Sequence, residues 1–135
     1  MTAYLLDSNH AGALITVTHP LRQRVTARMA GGDAFCLTLP VVTETVYGFS
    51  TLPRARQSAR EWAAMRPSLV LIGMDEDDAL NAAALQVTLH RQGRQRATID
   101  ALIATAALRY ELVLLTTDRD FEAIPGLTIE NWMQA

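Results

Sequence analysis

Four acidic residues from separate parts of the chain could do chemistry together. Asp7 directly follows the apolar run AYLL, and Glu44 lies within the largely apolar segment PVVTETVYGF. Asp100 opens another apolar stretch, and Asp118 follows the run VLLTT. Carboxylate oxygens favour hard cations, so Mg²⁺ or Mn²⁺ is the ligand expected for such a set. Ions of this kind can activate water and stabilise the charge on a phosphodiester during hydrolysis.

Helix capping is a second interpretation of these acids. The helix dipole favours acids in a first turn, and that explanation stays open for Glu44 and Asp100 taken singly. The run 75–78, with the sequence DEDD, is interpreted as helix capping on a solvated face. Glu44 favours a functional site more strongly, because an unpaired charge in an apolar helix is costly. Spacing alone does not say which acids touch a metal.

Polar neighbours could complete a site for a phosphate-containing substrate. Asn9 and Thr117 stand close to the acids in sequence and could contact a ligand or water, and Ser8 adds a hydroxyl. All twelve basic residues are arginines, which can bind phosphate with two hydrogen bonds. The candidates for guiding a phosphate backbone precede Asp100 and are Arg91, Arg94 and Arg96. Solvated helix faces explain the arginine clusters equally well, and the net charge of −2 is unusual for a nucleic-acid binder.

Other kinds of site are not supported. The three histidines and the single cysteine show no metal-ligand spacing, and there is no phosphate-binding GxxxxGK[ST] or GxGxxG and no GxSxG. The absence of lysine argues against receiver and haloacid-dehalogenase domains, which use one beside their acids. Trp62 and Trp132 are expected to pack in the interior. No signal peptide or membrane span is evident, and one cysteine suits a reducing compartment, so a cytoplasmic protein is expected.

Alternating strand-like and helix-like segments must position these acids. Strands are predicted at 3–6, 34–39, 68–72, 112–115 and 127–130. Helices are predicted at 8–17, 20–30, 40–49, 53–65, 75–92 and 98–110, with Ser8, Asp75 and Thr98 as caps. This alternation predicts an α/β fold with a parallel sheet, and the apolar strands indicate helices on both faces. Ligands of such folds bind beyond the carboxyl ends of the strands, where all four acids are expected.

Four motifs then resemble one known family along essentially the whole chain. They are YLLDSN, PVVTETVYGF, RQGRQRATIDALIATAAL and LLTTDRDFEAIPGLTIENW. In this order they resemble the PIN-domain family, and within it the VapC-type toxins of bacterial toxin–antitoxin pairs. The acids of the family map to Asp7, Glu44, Asp100 and Asp118, while Asp120 maps to a structural position.

The resemblance implies a three-layer α/β/α sandwich forming a single PIN-like domain over residues 1–135. It implies an endoribonuclease that depends on Mg²⁺ or Mn²⁺, works as a homodimer and is blocked by a cognate antitoxin. Asp7 and Asp100 would hold the metal directly, with Glu44 and Asp118 acting through water or a second ion. Two alternatives stay open: a structure-specific DNA nuclease, and a binding module without catalytic activity.

Overall fold

The computed structural model describes residues 1–133 and contains a five-stranded parallel sheet. The strands are β1 (Ala3–Leu6), β2 (Ala34–Leu37), β3 (Val70–Leu71), β4 (Val113–Leu115) and β5 (Ile129–Glu130). Their spatial order is β3-β2-β1-β4-β5, and every neighbouring pair is parallel. The predicted α/β fold with a parallel sheet is confirmed. Gln134 and Ala135, the end of the domain predicted over 1–135, lie outside the described residues.

Six α-helices of the described chain connect the strands. They are α1 (Ser8–Leu14), α2 (Pro20–Ala30), α3 (Leu39–Ser50), α4 (Ala55–Met65), α5 (Glu76–Arg91) and α6 (Thr98–Arg109). Helices α1 to α4 contact one another, and α5 packs on α6. Because parallel crossovers are right-handed, reversal of the strand order after β3 sends these two groups to opposite faces of the sheet. This is the three-layer arrangement expected from the sequence.

Local sequence accounts for several helix ends. The Asp75 side chain accepts the Asp78 N–H, and the Asp78 side chain accepts the Asp75 N–H, which forms the predicted cap of α5. Gly93 follows this helix with φ of 71°, a left-handed conformation that glycine adopts readily. The interpretation of the acidic run as wholly solvated was wrong at Asp78, which is buried and paired with Arg109 of α6.

Several predicted helix starts or ends were wrong. Helix α1 ends at Leu14 instead of residue 17, because the β-branched run that follows favours helix poorly and forms a turn. Helix α4 begins at Ala55 instead of residue 53, because Arg54 is in the left-handed region with φ of 68°. Ala97 takes the capping position of α6, and Thr98 is its first residue.

Strand lengths and exposure also differ from prediction. Strand β2 stops at Leu37, because Leu39 and Pro40 already form the first turn of α3. Strand β3 contains only two residues, both exposed at the sheet edge, whereas burial on both faces was expected. Strands β1, β2 and β4 carry the core, in which Leu5, Leu6, Leu114 and Leu115 are fully enclosed.

An aromatic cluster holds the end of the described chain against the sheet. Trp132 is buried and contacts the rings of Tyr4 and Phe35 at centroid distances of 4.8 and 5.7 Å. The backbone N–H of Trp132 donates to Nε2 of buried His10 at 3.0 Å. Trp132 is therefore a packing residue, as predicted, and partly buried Trp62 also packs on the core. No helix within residues 1–133 is long and apolar enough to cross a membrane.

Candidate active site

The four predicted acids lie at the carboxyl edge of the sheet and are called the acidic cluster here: Asp7, Glu44, Asp100 and Asp118. Asp7 follows β1, and its N–H donates to the Leu115 carbonyl at 3.0 Å, which fixes it beside the end of β4. Asp118 follows that strand, Glu44 lies on α3 after β2, and Asp100 lies in the first turn of α6. The parallel topology therefore brings together acids that are far apart in sequence.

Thr116 links two members of the cluster. Its hydroxyl donates to Oδ2 of Asp7 at 2.8 Å and accepts the Asp118 N–H at 3.0 Å. Thr116 is buried, whereas Thr117, the threonine predicted to contact a ligand, is exposed. Alternation along VLLTT does not distinguish the two threonines, because Leu114 and Leu115 are both buried.

Asp7 also caps a helix. Its Oδ1 accepts the backbone N–H of Ser8 at 2.8 Å, so Asp7, and not Ser8, is the N-cap of α1. Both Asp7 oxygens thus hold one hydrogen bond each, which fixes the carboxylate while leaving lone pairs for a further ligand.

Asn9 supports the structure beneath this cap. Its Oδ1 lies 2.6 Å from Nδ1 of His10. Because Nε2 of His10 accepts the Trp132 N–H, Nδ1 carries the proton and donates to Asn9. Burial, together with the charge of His19, lowers the pKa of His10 to about 4. The side-chain carbonyl of Asn9 thus accepts a hydrogen bond from His10. The predicted contact between Asn9 and a ligand stays a prediction.

Mutual repulsion perturbs two acids of the cluster. Partial burial and the charges of Asp7 and Asp100 raise the pKa of Glu44. Burial also raises the pKa of Asp100, although Arg96 opposes this rise, and Asp7 and Asp118 add to it. Neighbouring groups cover only part of Glu44, and the residue as a whole is exposed, so the expectation of a charge enclosed by its apolar helix was wrong. A cation placed between these side chains would be stabilised by the same charges that repel one another.

Arg96 was expected from the sequence to guide a phosphate backbone, and in the structure its guanidinium contacts three carboxylates. Its Nη2 donates to Oδ2 of Asp100 at 2.9 Å and to Oδ2 of Asp118 at 2.6 Å. Its Nη1 donates to Oδ2 of Asp120 at 3.1 Å. Burial alone would raise the pKa of Asp118, but hydrogen bonds from Arg96 and the Asp120 N–H lower it overall. These carboxylates in turn raise the pKa of Arg96 against the effect of burial.

The carboxylates suit a hard divalent cation by chemistry but do not form a complete set of ligands. Asp7, Glu44 and Asp100 supply oxygen donors whose charges repel one another. Within residues 1–133, however, no three Asp, Glu, His or Cys side chains converge closely enough to form a ready-made metal-binding group. Arg96 provides a physical reason, because it draws Asp100 and Asp118 toward its guanidinium.

The other two predicted arginines lie outside the acidic cluster. Arg91 ends α5 and is exposed. Arg94 is also exposed and, with Arg96 and Asp120, lines a cleft of about 270 Å³ on one side of the site. A second cleft, of about 370 Å³, lies beyond β4 and β5 and is lined by Thr116, Thr117, Asp118, Arg119, Glu122, Ile129, Glu130 and Asn131.

The chain is similar to known proteins along most of its length. The family model described as "PIN domain" matches residues 4–127. The tRNA(fMet)-specific endonuclease VapC of Salmonella typhimurium is 28% identical over 141 residues, covering 98% of this chain and 99% of that protein. The protein of the same name from Shigella flexneri is 26% identical, with the same coverage.

Solved structures agree on the fold. The crystal structure of VapBC2 from Rickettsia felis, bound to a promoter DNA fragment, matches with a TM-score of 0.84 at 23% identity. That match covers 97% of this chain and 99% of the other chain. DNA-bound VapBC from Salmonella typhimurium matches with a TM-score of 0.81 at 24% identity, covering 98% and 99%. The predicted resemblance to VapC-type toxins is therefore confirmed, and the chain belongs to the PIN-domain family.

Proposed function

We propose that this protein is a metal-dependent endoribonuclease that acts as the toxin of a toxin–antitoxin pair. The observation that carries the proposal is the acidic cluster at the carboxyl edge of a PIN-type sheet. Its acids come from four separate parts of the chain, and partial burial together with the charges of Asp7 and Asp100 raises the pKa of Glu44. Such repulsion is unfavourable for folding alone, and acids arranged this way are typical of a site built for a cation.

Asp7 and Asp100 are the residues proposed to hold Mg²⁺ or Mn²⁺, with Glu44 beside them. Asp118 is a further candidate, through water or a second ion. The ion would neutralise the carboxylates and supply positive charge for the phosphodiester as it is hydrolysed. Thr116 serves this site by holding the Asp7 carboxylate through a hydrogen bond of 2.8 Å.

The chain's own cations are proposed to hold the RNA backbone. Arg94 lines the cleft beside the acidic cluster, and exposed Arg91 lies three residues earlier in sequence, at the end of α5. Guanidinium groups at these positions would attract phosphates, which the carboxylates alone would repel. Asn9 and Thr117 remain candidates for contacts with the substrate. Of these, Thr117 lines the second cleft.

RNA is favoured over DNA as the substrate. Two relatives that match nearly the whole chain are named tRNA(fMet)-specific endonucleases, which makes tRNA the first class to test. The structure-specific DNA nuclease considered from the sequence remains the alternative activity. The proposed setting is the cytoplasm, where these RNAs reside.

An antitoxin and a second copy of this chain are the proposed protein partners. The structural relatives include VapBC complexes, whose names pair a toxin with its antitoxin. Helix α3 and the turn after it expose Leu39, Tyr47 and Leu52, an apolar surface suited to an amphipathic partner segment. Light scattering of the purified chain tests the predicted homodimer.

A substrate panel tests the proposed activity. Purified protein free of antitoxin is incubated in Mg²⁺ with tRNA, other structured RNA, single-stranded DNA and branched DNA. The variant Asp100→Asn is compared with Asp77→Asn, which neutralises an exposed first-turn acid of α5. RNA cleavage lost only in Asp100→Asn supports the proposal. Preferential cleavage of DNA supports the alternative nuclease, and equal cleavage by both variants refutes this active site.

A further inference from the structure

One guanidinium binds three carboxylates on one side of the proposed site. The Arg96 side chain is 12% exposed, whereas those of Asp100, Asp118 and Asp120 are 30, 37 and 79% exposed. The cation is thus the most enclosed member of the group. Hydrogen bonds to ionised partners are stronger than neutral ones, so this arrangement is a specific structure and not a loose surface pairing.

Arg96 lies between Asp100 and Asp118. A single atom, Nη2, donates to Oδ2 of both residues, at 2.9 and 2.6 Å. An ion that bridged these two oxygens would have to displace Nη2. Oδ1 of Asp118 is also engaged, because it accepts the Asp120 N–H at 2.9 Å. Each oxygen of Asp118 therefore accepts one hydrogen bond, and the bond to Oδ2 comes from a cation that would repel a divalent ion placed beside it.

The rest of Arg96 is held in place. Its guanidinium carbon lies 5.0 Å from the centroid of the Phe121 ring, and that ring is fully buried. This distance suits a cation–π contact. Nε of Arg96 is buried and has no hydrogen-bond partner within the described chain. The carboxylates hold the guanidinium through Nη1 and Nη2 instead. The positive charge is therefore a permanent part of the site.

The opposite side of the acidic cluster has a different character. Asp7 and Glu44 make no ion pair within residues 1–133, and Arg96 contacts only Oδ2 of Asp100. Thr116 and the Ser8 N–H orient Asp7 without neutralising it. This side keeps the uncompensated negative charge, and it is the side where a hard cation would gain most.

We propose that Arg96 is the second cation of this site, so that the chain binds one divalent ion at Asp7, Glu44 and Asp100 while Arg96 holds Asp118. The inference rests on the proposed function and adds the number of metal ions. Asp118 is then a positioning residue that orients Arg96 and, through Thr116, Asp7. Neutralising Arg96 should free Asp100 and Asp118 to take a second ion.

Counting bound Mn²⁺ tests this proposal. Equilibrium dialysis with Mn²⁺ as the probe, checked by electron paramagnetic resonance, is applied to the purified chain and to Arg96→Gln, Arg96→Lys and Arg94→Gln. We expect one ion per chain in the original protein, in the lysine variant and in the Arg94 control. We expect two ions in Arg96→Gln, and only one again when Asp118→Asn is added to it.

A second measurement does not depend on whether Arg96→Gln folds. Asp118→Asn alone should change the Mn²⁺ dissociation constant by less than about fivefold, whereas Asp100→Asn should weaken binding more than a hundredfold. Two ions in the original protein, one ion in folded Arg96→Gln, or loss of binding in Asp118→Asn would each overturn the role of Arg96. Those results leave metal-dependent cleavage intact, whereas absence of binding in every protein overturns the proposed metal dependence as well.

Discussion

Replacing Glu44 with glutamine should stabilise the protein in metal-free solution. Partial burial, followed by the charges of Asp7 and Asp100, raises the pKa of Glu44. When the pKa of an acid is higher in the folded state than in the unfolded state, ionisation of that acid destabilises the fold. The free energy of unfolding therefore falls as the pH rises through the folded-state pKa. Glutamine keeps the shape of the side chain and removes the repelled charge.

The expected gain follows from the number of like charges that Glu44 faces. Interactions between exposed charges are worth about 0.2–1 kcal/mol each, and Glu44 is exposed. Two such repulsions give roughly 1 kcal/mol of stabilisation at pH 7.5. For a chain of this length, that corresponds to a rise in melting temperature of about 3–4 °C.

Urea unfolding in EDTA at pH 7.5 and at pH 4 measures this gain. The matched control is Glu61→Gln, because Glu61 forms an ion pair with Arg22 and should lose stability when neutralised. The gain of Glu44→Gln should largely vanish at pH 4, near the ordinary pKa of glutamate. Added Mg²⁺ should then stabilise the original protein more than the variant, because the ion binds the folded state through this acid.

Two results would refute this reasoning. One is a Glu44→Gln protein that is less stable than the original at pH 7.5 without metal, which would mean that the carboxylate makes favourable contacts. The other is a stabilisation of the same size at both pH values, which would point to a packing effect with no electrostatic origin.

Three further predictions concern residues around the site and the core. Thr116→Val removes the hydroxyl that binds Asp7, and should lower the free energy of unfolding by about 2 kcal/mol in urea titrations. Arg109→Met leaves the buried carboxylate of Asp78 without its cation, and should cost about 2 kcal/mol in the same assay. The imidazole of His10 should stay neutral from pH 5 to 8 in nuclear magnetic resonance titrations, because its pKa lies near 4.

Matched variants separate these effects from simple changes of volume. Thr116→Ser keeps the hydroxyl, so equal losses for the serine and valine variants would contradict the hydrogen-bond argument. Adding Asp78→Asn should recover part of the loss caused by Arg109→Met, and an unchanged unfolding midpoint in the single variant would show the pair to be unimportant. A titration midpoint of His10 above about pH 6 would contradict its predicted neutrality, since the ordinary value is about 6.5.

The order of the elements and the edge that carries the acids were predictable from sequence. Apolar runs of strand length alternate with helical segments, and in parallel sheets the segment after each strand meets its neighbours at one edge. Asp7 and Asp118 each follow a strand closely, so their meeting required no knowledge of side-chain positions. The cap at Asp75 depended on a local rule and was likewise predicted correctly.

The features that could not be predicted were the long-range contacts of a side chain, the choice between two adjacent threonines, and the strand that forms the edge of the sheet. Arg96 lies in the irregular segment between α5 and α6, where no periodicity indicates direction, and it contacts Asp118 across 22 positions. The hydroxyl that binds Asp7 belongs to Thr116 and not to its neighbour Thr117, a distinction set by the end of β4. The exposure of β3 depended on which strand became the edge of the sheet, which apolar composition does not reveal.

The most direct test of the central claim is the initial rate of RNA cleavage when metal is removed and returned. The purified chain should cleave tRNA in Mg²⁺, stop in EDTA and recover when excess Mg²⁺ is added. Asp7→Asn should be inactive under all three conditions, while Asp77→Asn, with its exposed acid neutralised, should behave like the original protein. Cleavage that persists in EDTA, or an Asp7→Asn protein with full activity, would contradict a metal-dependent ribonuclease at the acidic cluster.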